Sequence, residues 1–231
     1  MRVLFLLLIP FIAGQLFAQN HSAFSGLFPE AQVSYTTQNK LKFTGKIESQ
    51  HVLLSKEEAT DAQLKYMHDR TDFQFFIGTR INPFISIAGG YQYRWEGGAS
   101  NSHRSIQQIS FLQKKAGFRM AHRLRTDQKF TPAEPGEYRI RYRIGFEIPM
   151  QGKSLDPGEF YMVSSDEAIF SYEGGDFGIE NRLAFSVGKF FNRKHKAEFG
   201  IDYRTDDFLD GGSRHRIWAK AGWYVSLSKT K

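Results

Sequence analysis

Apolar and polar side chains take turns along most of this chain, most cleanly from Tyr138 to Ile148 (Y-R-I-R-Y-R-I-G-F-E-I). Successive side chains of an extended strand point to opposite faces. One face therefore carries Tyr138, Ile140, Tyr142, Ile144, Phe146 and Ile148, and the other Arg139, Arg141, Arg143, Gly145 and Glu147. Three arginines on one face do not pack into the dry core of a soluble sandwich. They suit a strand with lipid on one side and a polar, salt-bridged lumen on the other. The alternative, a soluble periplasmic β-sandwich, needs those arginine faces to lie in solvent.

Comparable runs occupy Lys40–Gln50, Asp72–Ile81, Phe84–Glu96, Gly117–Phe130, Glu159–Ser171, Phe177–Phe191, Lys196–Asp206 and Arg214–Ser228, with weaker ones at Glu30–Thr37 and His103–Gln113. Turn formers separate them, which predicts an all-β, antiparallel transmembrane barrel with a polar, arginine-rich lumen. Helix formers gather only at Lys56–His68, where one helical stretch within a loop is expected.

Connections near Gln38-Asn39, Asn82-Pro83, Lys114–Ala116 and Asn192–His195 read as tight. Those at His51–Thr71, Gly97–Ser102, Thr131–Gly136, Glu173–Asp176 and Asp207–Ser213 read as mostly longer, and only Gln151–Gly158 breaks the alternation. Outer-membrane barrels have short periplasmic turns and long outer loops. The tight set and the C-terminus are therefore expected in the periplasm. An even strand count then requires one more strand, within His21–Phe28. Twelve strands are expected, with ten as the second choice.

The first residues sharpen the compartment. Met1-Arg2, an apolar run from Val3 to Ile12 and Ala13–Ala18 have the layout of a secretory signal peptide, cut after Ala18 to leave 19–231 as one barrel domain. Leu16 is larger than the residue usual at its place before the cut. The chain has no cysteine, which excludes a lipoprotein anchor, disulfides and thiolate metal sites. No later stretch is long enough for a transmembrane helix, which leaves a barrel untouched because its strands are only half apolar.

Charge adds a further constraint. The formal net charge is +7, and +6 once Arg2 leaves with the signal peptide. The basic residues alternate singly with aromatics rather than forming arms, so nucleic acid is not an expected partner. The 22 Phe, 10 Tyr and 3 Trp suit a lipid-facing band with interfacial girdles. The polar faces hold fourteen cations (Lys42, Lys46, Arg80, Arg94, Arg119, Arg123, Arg125, Arg139, Arg141, Arg143, Arg182, Arg204, Arg216 and Lys220). Against them stand eight anions (Glu48, Glu96, Asp127, Glu147, Glu167, Glu180, Glu198 and Asp202), a difference equal to the net charge of the processed chain.

Several blocks carry a resemblance: H-R-L-R-T-D-Q-K-F (His122–Phe130), Y-R-I-R-Y-R-I-G-F-E-I-P (Tyr138–Pro149), S-D-E-A-I-F (Ser165–Phe170), E-N-R-L-A-F-S-V-G (Glu180–Gly188) and E-F-G-I-D-Y-R (Glu198–Arg204). In sequence and spacing they resemble the outer-membrane family catalogued as domain of unknown function 2490. The resemblance covers roughly half of the processed chain and is looser in its N-terminal half. It implies a β-barrel in the outer membrane of a Gram-negative bacterium, without an established activity and so without catalytic residues to carry over. Its patterned positions would be Arg123, Arg125, Arg139, Arg141, Arg143, Glu147, Glu167, Asn181 and Arg182.

Two readings of the lumen follow. Rings of arginine select anions, so a narrow anion-preferring path is one. Alternatively, arginines and carboxylates on neighbouring strands pair and fill the interior, and this closed arrangement is the one expected. The charge network in question comprises Arg123, Arg125, Arg139, Arg141, Arg143, Glu147, Glu167, Arg182, Glu198 and Arg204. Its cationic excess should attract anions such as small solutes or lipopolysaccharide phosphate. Outer-membrane lipid and the barrel-assembly machinery are the other expected partners.

An enzymatic alternative rests on His103-Arg104-Ser105, similar to the His-x-Ser arrangement of lipid A deacylase barrels, with Glu96 orienting the histidine. There is no G-x-S-x-G elbow. No metal or other cofactor is expected: the seven histidines are scattered, and Asp206-Asp207 with Asp210 reads as a solvated loop. The paired glycines mark turns and kinks rather than phosphate loops.

Overall fold

The computed structural model describes residues 21–56, 63–206 and 213–228. The expected signal peptide at 1–18 lies outside them, as do Asp207 and Asp210. The strands are β1 (His21–Thr36), β2 (Leu41–Lys56), β3 (Gln63–Arg80), β4 (Ile85–Glu96), β5 (Ser102–Lys115), β6 (Phe118–Phe130), β7 (Glu137–Pro149), β8 (Phe160–Glu173), β9 (Asp176–Asn192), β10 (His195–Asp206) and β11 (Ser213–Ser228). Each pairs antiparallel with its neighbours in sequence, and β1 closes the ring by pairing parallel with β11, from His21↔Ser213 to Thr36↔Ser228. No helix occurs among the described residues.

Eleven strands stand where twelve were expected and ten was the second choice. The difference lies in β1. The extra strand sought within His21–Phe28 and the run from Glu30 form one continuous sixteen-residue strand, with a register shift against β2 at Ser25/Gly26. An odd count makes the first and last strands parallel.

Two further expectations are corrected. Gln63–His68, the described end of the expected helix, belongs to β3 because its backbone pairs with β2 (Ser55↔Gln63, Val52↔Met67, His51↔His68). The expected His51–Thr71 loop is thus largely a hairpin continuing the wall, and Leu64, 88% exposed, stands clear of the lumen. The β8–β9 connection, placed among the longer loops, is the two-residue turn Gly174-Gly175 with φ of 61° and 110°. Positive φ at both central positions suits the right-handed twist of a tight hairpin, and glycine adopts it without steric cost.

The alternation sorts side chains as a barrel requires. On β7, Tyr138 and Ile140 are 54% and 56% exposed, whereas Arg139 and Arg141 retain 8%. Outward apolar residues recur around the ring, from Val33, Ile47 and Phe75 to Ile109, Leu124, Phe185, Ile201 and Trp223. Inside, Phe28, Val52 and Trp218 form a small buried apolar cluster flanked by Phe24. Inward glycines make room for inward rings: a Cβ on Gly188 would collide with Tyr161, and one on Gly90 with Phe76.

Candidate functional site

The interior is built strand by strand from inward positions. Asp127 on β6 has no exposed surface and gathers Arg139 (2.7 Å), Arg104 (3.3 Å) and Arg141 (3.6 Å). Glu167 on β8 takes Arg141 and Arg123, each at 2.8 Å. Arg182 forms a two-pronged pair with Glu180 (2.8 and 3.0 Å), and Glu180 also accepts from Arg216 at 3.2 Å. Arg204 reaches Asp202 at 2.5 Å and lies over the Phe28 ring, 4.9 Å from its centroid. Such planar, charge-assisted pairs are the way arginine is accommodated away from water.

Nearer the tight turns, Glu147 holds Arg119 (2.8 Å) and Lys196 (3.0 Å), and Glu198 accepts the Tyr161 hydroxyl at 2.9 Å. Asp72 takes both prongs of Arg94 at 2.6 and 2.8 Å. Glu30 is shared by Lys46, Lys220 and the Tyr224 hydroxyl. Two arginines of the expected charge network stand apart. Arg125 donates only to Gln108 Oε1, at 2.7 and 3.3 Å, and packs on Phe76. Arg143 has no ion pair or hydrogen bond among the described residues.

These side chains surround a chamber of about 1140 Å³. Lys40, Asn82, Pro83 and Ser228 line it, so it reaches the end that carries the β1–β2 and β3–β4 turns. Among the described residues, none of the opposite connections (97–101, 131–136, 174–175) lines it. Toward that opposite end the interior is packed by Trp218, Ile106, Ile169 and Asp127. Fifteen cationic side chains line the chamber against five carboxylates. Asp127, Glu147 and Glu180 pair with lining arginines without lining it themselves.

All ten residues named for the charge network project inward, but they divide into separate clusters. Arg123, Arg139 and Arg141 share Asp127 and Glu167, whereas Arg182 and Arg204 pair with Glu180 and Asp202. The sequence reading left out Arg104, Glu30 and Asp72, each of which closes a cluster. Carrying the period of two through every position of each run would have placed them: Arg104 shares a face with Ile106, Asp72 with Gln74, and Glu30 with Gln32.

His103, Ser105 and Glu96 are not brought together. His103 and Ser105 lie on the outer face, where Tyr91 hydrogen-bonds His103 Nδ1 and Ser105 donates to Gln128 Oε1. Glu96 faces the lumen beside Arg94, 3.6 Å away. No group of His, Asp and Glu suited to a metal ion occurs among the described residues. Asp206, the described member of the acidic loop, pairs with Arg216 at 2.6 Å.

A family model described as protein of unknown function (DUF2490) matches residues 27–226. The chain belongs to this family. The match runs from β1 to β11 and so takes in the N-terminal strands, which the sequence blocks resembled only loosely. No curated protein and no solved structure matches the chain. Membership of the family assigns no role to the lumen.

Proposed function

We propose that the protein is a non-enzymatic β-barrel of the Gram-negative outer membrane, exported with a cleaved signal peptide and structural in role, with a lumen closed to through-passage. The observation that carries this reading is the two-sided wall: exposed apolar and aromatic residues around the ring outside, paired charges within. An apolar surface of this extent favours lipid over water. Outer-membrane lipid and lipopolysaccharide would surround it, and the barrel-assembly machinery would insert it. Heat-modifiable migration on a denaturing gel tests the barrel; a single band at one mobility, boiled or not, would overturn it.

A narrow anion-preferring channel is the second reading, favoured by the cationic chamber. Planar bilayers separate the two. The closed barrel should give no discrete current at high protein load, whereas anion-biased steps would establish the channel. The alternative of a lipid hydrolase draws on His103 and Ser105, which have separate partners. Ser105→Ala should leave the lipid A pattern of cells unchanged; a shifted pattern would restore the hydrolase.

A further inference from the structure

We infer that the chamber is a binding site for a small soluble oligoanion of the phosphoanhydride class, entered from the tight-turn end. The inference rests on the barrel reading above and adds a ligand to it.

Three observations converge. First, the register sets Arg123 opposite Arg143 and Arg125 opposite Arg141 on β6 and β7. Like charges directly opposite one another destabilise a sheet, and the carboxylates at hand do not compensate all four. Arg125 has only the neutral Gln108, and Arg143 has no partner among the described residues. Second, buried guanidinium nitrogens lack any hydrogen-bond partner: Nε of Arg123, Nε of Arg141 and Nη2 of Arg139. Buried donors left unmade are costly, and Arg139 and Arg141 are more than nine-tenths buried. Third, Lys42 and Arg80 stand exposed at the mouth without ion pairs, so the potential draws anions inward.

The chamber is as large as the pockets that hold small ligands, about 300–1000 Å³. Its strand cations without a carboxylate partner sit on two walls, Arg125 and Arg143 on β6–β7 within and Lys42 and Arg80 on β2–β3 at the rim, which a single halide cannot span. A phosphoanhydride presents several oxygens on each of two linked groups, and each group can engage a guanidinium fork in two-pronged fashion.

The test uses the full barrel, extracted from membranes and exchanged into lipid-free detergent micelles, titrated calorimetrically with sodium pyrophosphate. One pyrophosphate should bind per barrel, more tightly than orthophosphate, and binding should weaken as sodium chloride is raised. The Arg125→Gln/Arg143→Gln variant should lose about tenfold or more in affinity. Lys42→Gln/Arg80→Gln alters only exposed side chains outside the ion pairs and should weaken binding about threefold. No binding by wild type, or affinity unchanged in the inner variant, overturns the site. Should the inner variant not fold, an unchanged rim variant overturns it equally. Wild type that migrates heat-modifiably yet ignores pyrophosphate defeats this inference alone, whereas loss of heat-modifiability defeats the barrel reading.

Discussion

Three guanidinium groups converge on Asp127, which has no contact with solvent: Arg139 at 2.7 Å, Arg104 at 3.3 Å and Arg141 at 3.6 Å. Removing one partner of a buried ion pair costs about 3–5 kcal/mol, because the charge left behind cannot return to water. Asp127→Asn keeps the side-chain shape and should lower stability by about that amount. Urea unfolding in lipid vesicles, read as a lower midpoint at unchanged slope, would check it. A loss below about 1 kcal/mol would mean that Glu167 and Glu137, the latter 3.6 Å from Arg104 and 3.8 Å from Arg139, already neutralise these arginines. The inward face of Asp127 was legible from its alternation with Arg123 and Arg125. Its partner Arg104 was not, because it lies in a weak run on another strand. Alternation tells which side a residue faces but not which residue stands next to it across the sheet.

At the scale of elements, the eight strong runs and the Tyr138–Ile148 strand appear close to where period two put them. The misread segments are those whose pairing lies beyond the pattern. Lys56–His68 has helix-forming composition, yet Gln63–His68 joins β3, since backbone pairing with β2 outweighs a propensity of a few tenths of a kcal/mol per residue. Leu64 and Tyr66 of this hairpin are strongly exposed, clear of the ion-paired lumen. Replacing residues 53–66 by Asn-Gly, between the paired Val52 and Met67, should therefore leave a heat-modifiable barrel. Loss of the fast-migrating band would show that this hairpin, against which β1 pairs at Ala23–Ser25, is needed for ring closure.

For the whole molecule, the decisive question is what lies against the outer band. Phe75 faces outward between Phe73 and Ile77, 49% exposed. Phe75→Arg should cost about 2–4 kcal/mol if hydrocarbon surrounds the barrel, but only about 0.5 kcal/mol if water does. Unfolding in vesicles distinguishes the outcomes, and a near-neutral substitution would remove the membrane from the reading. By itself the sequence determined the all-β class, the two faces of each strong strand and a surplus of inward cations, because the strand period is a local property of the chain. Only the tertiary structure decided the eleven-strand ring with a parallel seam, the particular ion pairs, and a chamber reaching one end and packed toward the other. Closure, register and the meeting of side chains across the lumen depend on residues far apart in the chain, which no local pattern records.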